Sequence, residues 1–427
     1  MDTGFWRLLK ETDIIGRVFR KPFLNDEPKL FSFGAEINLE SLVSDGNAVD
    51  RYSAGTSLDE NSALCKAIFE AIERISLAEF RFRDFVFDSY KNISKSNNAI
   101  NPHSFCYFSE GQLQRKKFND FSFSPEDKFY WVSCINLDTD QTVYLPAQQI
   151  YCPYKYYNNE KVLSFPITTG ASVAETLDEA VYKGLCEVIE RDAYITSYLL
   201  KLKPREIVYN NIHSSKINKL LEISRKYNLE IKSFILISDL EIPTVLSAII
   251  DSTEKGPALC IGLKTEWNLE KAIIGSVEEA FQVRSWIRIS MIKNDWVGDT
   301  YTTKNMLKRA YIWKDKSNIK NLDFFIKSGN KTTIFDKDLR RYSQKTPSEK
   351  LKLLKDMLNK NKISSHYKEV TSKKFRNMPV KVVKCVVPSL HPMFIDNDYP
   401  YLGSSRIKTL KKKYGVRTLN LYPHPFL

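Results

Sequence analysis

Histidine is scarce in this chain: five in 427 residues. None falls into an H-x-x-x-H or H-E-x-x-H spacing, so a zinc hydrolase is left without ligands. The seven cysteines form no C-x-x-C pair and are odd in number, which excludes a disulfide framework and a thiolate metal site and leaves buried reduced thiols. No apolar run approaches the roughly 20 residues that cross a bilayer. The first residues, Met1-Asp2-Thr3-Gly4-Phe5-Trp6, carry neither a basic region nor a sustained apolar stretch, so no signal peptide is read and a cytoplasmic protein without membrane contact is expected. A Walker A pattern is absent, so a glycine-rich P-loop would not hold a nucleotide.

What is present is 43% hydrophobic residues over 427 positions, enough for a full core without staples. The formal net charge of +13 raises the question of nucleic acid, and residues 406–417, with Lys411-Lys412-Lys413, are its best local feature. No helix-turn-helix, zinc finger or aromatic RNA-binding signature accompanies them, so the run reads as a solvated basic face and no nucleic-acid partner is expected.

Alternating β-branched segments predict a hairpin from residues 131–137 and 142–145, and strands at 231–237, 244–251, 258–263 and 380–387. Apolar spacing of 3.6 predicts helices at 61–80, 177–200, 214–226, 269–289 and 348–358. The Asn/Ser-rich residues 91–102 read as a surface linker, and the Lys-rich stretch from about 300 to 346 as an insertion or mobile segment. The organisation expected is an N-terminal segment, 1–50, followed by one domain, 51–427, of α+β class.

Two of the helices repeat E-x-I-E-R: Glu70-Ala71-Ile72-Glu73-Arg74 and Glu187-Val188-Ile189-Glu190-Arg191. Each is entered through a glycine segment, Ser53-Ala54-Gly55 and Thr168-Thr169-Gly170, which suggests two related halves facing each other. At 100° per residue Glu179, Glu187 and Glu190 share a sector of roughly 80°, opposite Val181, Leu185, Val188 and Ile189. Glu179 and Glu190 are roughly 16 Å apart along the axis, so the stripe suits a row of ligands rather than one ion. Pairing of such like charges with Lys183 offsets only a few tenths of a kcal/mol, whereas a cation offsets far more. Oxygen donors with no histidine or thiolate favour Mg²⁺, whose octahedron is completed by phosphate oxygens and water, so a nucleoside triphosphate is implied. Arg191 and Arg284 can offer bidentate forks to its phosphates.

These residues resemble the YcaO family of ATP-using peptide-modifying enzymes. The match runs from Ser53-Ala54-Gly55-Thr56-Ser57 and the first E-x-I-E-R helix, through Glu179-Ala180 and Glu187-Val188-Ile189-Glu190-Arg191-Asp192-Ala193, to Glu278–Arg284, similar to the family's E-A-x-Q-x-R. The resemblance implies a fold of pseudo-symmetric halves, with mixed and antiparallel sheets and helices enclosing a central Mg-ATP site. It implies Glu70, Glu73, Glu187 and Glu190 as magnesium ligands, and Glu179, Arg191, Arg284, Gln282 and Glu175 at the nucleotide. Two positions depart from the family: its G-K-G reads Gly55-Thr56-Ser57, and its asparagine near the second helix entrance reads Glu175.

The end of the chain, Tyr422-Pro423-His424-Pro425-Phe426-Leu427, resembles the P-x-P-x-P tail of azoline-forming members, with Leu427 in place of the last proline. Prolines stiffen such a tail. Val387-Pro388-Ser389-Leu390 and Gly403-Ser404-Ser405-Arg406 match the same subclass. The resemblance implies an ATP-dependent cyclodehydratase making thiazoline or oxazoline rings from Cys, Ser or Thr of a ribosomal precursor peptide. Pro423, Pro425 and Leu427 would form the catalytic tail, the Leu427 carboxylate accepting a proton. Because the family-like region starts almost at once, a separate E1-like leader-binding partner is expected, with a flavin-dependent dehydrogenase acting afterwards in the family's usual pathways; a homodimer stays open. The alternatives are thioamide formation or another amide activation at the same site, and a non-catalytic scaffold, motivated by Thr56 and Glu175.

Overall fold

The computed structural model describes residues 3–38, 49–294 and 301–427. The first half of the chain supplies helix α1 (Thr3–Glu11), strands β1 (Ile15–Arg20), β2 (Phe31–Ile37) and β3 (Tyr52–Ser57), and helix α2 (Glu60–Ala78). Strands β4 (Val86–Ser89), β5 (Lys128–Asn136), β6 (Thr142–Pro146) and β7 (Ala171–Ala174) lead to helix α3 (Leu177–Leu199). The second half supplies β8 (Arg205–Val208), α4 (Ser215–Lys226), β9 (Leu229–Ile235), β10 (Thr244–Asp251), β11 (Leu259–Thr265) and α5 (Leu269–Lys293). It closes with α6 (Tyr301–Trp313), β12 (Lys331–Thr333), α7 (Pro347–Lys360), β13 (His366–Glu369), β14 (Lys381–Val386) and α8 (Ser405–Tyr414).

The strands make three sheets: β1-β2-β3, β11-β10-β9-β8-β12, and β4-β5-β13-β14-β7 with β6 on β5. Pairing is antiparallel except between β12 and β8, in keeping with the α+β class. The expected hairpin is β5–β6, in register from Trp131↔Pro146 to Ile135↔Thr142. The boundary expected at residue 50 instead falls inside a sheet, because β1 and β2 complete the ladder that β3 needs.

Local signals set the three helices that matter for the site. Asp59 accepts from the Ser62 N–H at 2.8 Å to start α2, Thr176 caps α3 through the Glu179 N–H at 3.3 Å, and Asn268 caps α5 through the Lys271 N–H at 2.9 Å. Two glycines then let helices α2 and α5 lie directly on their strands. A Cβ at Gly55 of β3 would stand 2.2 Å from the Ala63 carbonyl and 2.5 Å from the Ala67 nitrogen of α2. At Gly262 of β11 it would stand 2.2 Å from the Ser276 carbonyl and 2.5 Å from the Ala280 nitrogen of α5. The related halves are therefore the hairpin–helix units of α2 and α5, whereas the E-x-I-E-R echo lies on α2 and α3. The sequence shows the repeated charge, not the repeated packing, because the glycine contact is made between segments.

The stretch read as an insertion or mobile segment contributes α6, whose Arg309, Ala310 and Trp313 are buried. Its weak periodicity has a physical cause: α6 buries a guanidinium and an indole beside aliphatic positions. Arg406, in the run read as a solvated face, is also largely buried, while Lys412 and Lys413 remain exposed. All seven cysteines are free, four of them buried.

Candidate active site

The two acidic helices converge. Glu73 of α2 lies in the electrostatic field of Glu187 of α3 and of Glu70 one turn back, and burial together with those two charges pushes its carboxyl up to about 8 against Arg74 and Lys384. Burial raises the Glu187 carboxyl too, Arg191 pulls it back and Glu190 adds to the rise. Glu279 of α5 joins them: burial pushes it up to about 7, Arg191 opposing and Glu190 reinforcing.

The four expected ligands are not equivalent. Glu70 accepts from the Ala54 N–H of β3 at 2.8 Å and from Arg74 at 2.6 Å. Glu190 accepts from the Thr265 N–H of β11 at 2.7 Å and from Arg191. Each is thus tied to a strand backbone on one oxygen and to a guanidinium on the other. Among the described residues Glu187 has only Arg191, at 3.4 Å, and it keeps 27% of its side chain exposed. Glu73 has no ion pair within 4 Å among the described residues. Among the described residues Glu73 has no ion pair and Glu187 one long one, whereas Glu70 and Glu190 are each held by a backbone N–H and a guanidinium.

Glu279 was not singled out from the sequence. It accepts from the Leu263 N–H at 2.5 Å, the third glutamate that reads a strand edge. Its neighbour Glu278 points a helical step away, to the Ser57 hydroxyl at 2.7 Å, the Leu58 N–H at 2.9 Å and the Lys66 ammonium at 2.7 Å. The doubled glutamate in the third matching segment was the available signal. Lys384 of β14 was also missed. It is buried, donates to the Ile167 carbonyl at 2.7 Å and the Thr169 carbonyl at 2.5 Å, and is lowered by burial while Cys152, Glu187 and Glu73 hold it up.

Other expected residues lie apart. Glu179, in the first turn of α3, pairs with Lys183 at 2.7 Å, and Glu175 is exposed just before the α3 cap. Gln282 is half-buried on α5. Arg284 is buried and spent on Glu27 of the N-terminal segment, at 2.7 and 2.8 Å, and on Asp251 of β10, at 2.8 Å. The Thr56 hydroxyl packs on Ser32 at 3.1 Å, but its carbonyl takes the Lys66 ammonium at 3.0 Å, so a lysine from α2 stands at the strand that lacks one of its own.

The tail reaches this site. Tyr198 of α3 donates to the Tyr422 and Pro423 carbonyls at 2.9 and 3.2 Å, and Trp313 of α6 to Pro423 at 3.0 Å. His424, Pro425 and Phe426 are buried, and the Phe426 ring lies 4.3 Å from the Arg191 guanidinium. Leu427 packs against a cluster of Cys260, Ile287 and Ala310 from β11, α5 and α6.

The donor set suits a hard divalent cation: Glu73 and Glu187 are crowded enough to resist ionisation, with no nitrogen or sulfur donor among the expected ligands. Among the described residues no three His, Cys, Asp or Glu come close enough to hold an ion unaided. Phosphate oxygens and water would have to complete the shell, as they do for Mg²⁺.

A family model described as YcaO cyclodehydratase, ATP- and Mg²⁺-binding, matches residues 54–391. The chain belongs to the YcaO family. Three solved structures share its fold. A heterocyclase in complex with substrate and cofactor is 16% identical with a TM-score of 0.77, over 98% of this chain and 57% of that one. The YcaO protein of Methanopyrus kandleri bound with AMPPCP and Mg²⁺ is 17% identical with a TM-score of 0.64, over 93% of each. The E. coli microcin synthetase McbBCD complex is 16% identical with a TM-score of 0.58, over 95% of this chain and 96% of that one. The chain thus spans little more than half the length of the first heterocyclase. No helix of the described residues is long and apolar enough to cross a membrane.

Proposed function

We propose that this YcaO protein is an ATP-dependent cyclodehydratase that closes thiazoline or oxazoline rings on Cys, Ser or Thr of a ribosomal precursor peptide. The observation that carries the reading is the junction of the proline tail with the acidic helices through Phe426 and Arg191. Glu73 and Glu187 would bind Mg²⁺ directly, Glu70 and Glu190 with them, each already oriented by a backbone N–H. Arg191 lies within reach of the same carboxylates and would meet the phosphates, and Glu179 and Gln282 would contribute from farther along α3 and α5. Arg284 and Glu175 would have to leave their present surroundings to join them.

Bound Mg-ATP would supply phosphorylation of the amide oxygen, which turns a poor leaving group into a good one after the side chain attacks the carbonyl. The chain's own part is electrostatic and positional. Arg191 and Lys384 set positive charge beside the carboxylates. The tail, with Pro423 and Pro425, closes the site on the α3 side and would carry the group that takes up the proton of the attacking thiol or hydroxyl.

A separate E1-like protein would present the peptide, in line with the multi-protein McbBCD complex, and a flavin-dependent dehydrogenase could follow. The test is mass spectrometry of a precursor peptide incubated with this protein, its partner and Mg-ATP. Loss of one water per ring is expected, and deletion of residues 423–427 abolishes it. Full ring formation without the tail would defeat the azoline reading in favour of another amide activation. Absence of peptide-stimulated phosphate release would mark a scaffold.

A further inference from the structure

Arg309 poses a problem of energetics. Its side chain is 2% exposed, yet no carboxylate lies within ion-pair distance among the described residues. A buried guanidinium without a counter-ion costs several kcal/mol unless its donors are otherwise satisfied. Here two of its three nitrogens bind chain, Nη1 donating to the Phe426 carbonyl at 2.8 Å and Nη2 to the Ile395 carbonyl, while Nε has no partner among the described residues. His424 completes the knot. Its ring nitrogens Nδ1 and Nε2 lie 3.0 and 2.9 Å from the Arg309 Nη1, and Nε2 lies 3.1 Å from the Phe394 carbonyl. One planar fork on α6 therefore ties the tail to residues 394–395, a geometry that a single ammonium cannot copy.

The other side of Phe426 faces the site. Its ring packs at a tilt of 50° against Tyr194 of α3, centroids 5.6 Å apart, and supports the Arg191 guanidinium at 4.3 Å. Arg191 has Glu187 and Glu190 at its edge and this ring against its face. Carboxylates alone let a guanidinium swing; the ring removes that freedom, and the ring stays where Arg309 holds its backbone.

We infer that Arg309 is a positioning residue, which fixes Arg191 in the nucleotide site by clamping Phe426. The inference rests on the functional reading above. Its experiment is calorimetric binding of Mg²⁺ with AMPPCP to the full chain, for Arg309→Gln, Phe426→Ala, their double variant and Phe426→Tyr, with thermal melts to verify folding.

Each single variant is expected to bind about tenfold more weakly, the value of losing a desolvated cation–π support. The double variant binds no more weakly than either single one, because both remove the same link, and Phe426→Tyr keeps near-normal affinity. Should Arg309→Gln fail to fold, Arg309→Lys takes its place in the cycle. Unchanged affinity in a folded Arg309 variant, or losses that multiply in the double variant, would overturn the inference while leaving the nucleotide site intact. Failure of the unsubstituted chain to bind AMPPCP would overturn the functional reading and this inference with it.

Discussion

Asp192 and Arg406 form a largely buried ion pair: the guanidinium approaches the carboxylate at 2.7, 3.0 and 3.2 Å, and Asp192 is 0% exposed. Asp192 follows Arg191 on α3, and Arg406 opens α8, so the pair joins the acidic helix to the segment that leads into the tail. Asp239 takes the remaining Arg406 donors at 2.6 and 2.8 Å, and the His391 N–H donates to Asp192 at 2.8 Å.

Removing one partner leaves the other charge buried. Arg406→Met should cost about 3–5 kcal/mol, measured by denaturant unfolding. Arg406→Lys should recover only part of that, since it cannot fork between two carboxylates. A loss below 1 kcal/mol for Arg406→Met would show that the pair is replaceable.

Glu73→Gln separates the binding role of this carboxylate from its stability cost. Burial and two like charges resist its ionisation, so the variant without ligand should melt no lower than the parent. Mg-ATP-dependent turnover should fall at least about a hundredfold, the scale of losing an electrostatic group at a reacting centre, and a chelator should abolish turnover in the parent. A variant with normal turnover would remove Glu73 from the ligand set.

Gly262→Ala tests the strand–helix contact beneath Glu190 and Glu279. The added methyl has no space against the Ser276 carbonyl, and overpacking of this kind costs about 1–3 kcal/mol. It should also weaken nucleotide binding, because β11 presents both the Leu263 and Thr265 N–H groups. Loss of stability with unaltered nucleotide affinity would uncouple the two.

Glu160 predicts a pH effect far from the glutamate site. It is buried against Tyr154 at 2.9 Å and the Tyr130 N–H at 3.1 Å, and burial pushes its carboxyl up to about 7 from 4.5. Folding therefore favours the protonated form. Its contribution is complete below pH 4.5 and is lost as pH rises through about 7, a change of roughly 3 kcal/mol. Glu160→Gln should be the more stable protein at pH 8 and the flatter one between pH 5 and 8, by urea unfolding. Parallel stability curves for the two proteins would refute it.

How much was legible can be seen residue by residue. Helices α2, α3 and α5 were readable within a few residues because caps such as Asp59, Thr176 and Asn268 and a 3.6 period act over one or two turns. Strands β2, β3 and β7 were not, since their Gly and Ser residues blur the alternation and they are held by helices packed on them. The glutamates of the two helices were readable as a charged stripe. Which of them is free was not, because Glu190 finds Thr265 75 residues away and nothing in the stripe records that partner.

By itself the sequence determined the helices, the acidic residues they carry and the family to which they belong, all written in short-range spacing. Only the tertiary structure decided that Arg284 answers Glu27 across 257 positions and that Arg309 holds Phe426 across 117. A guanidinium has the same charge and reach wherever it stands in the chain. Its partner is chosen by burial, which excludes water and leaves it the carboxylate or carbonyl that the fold has brought within 3 Å.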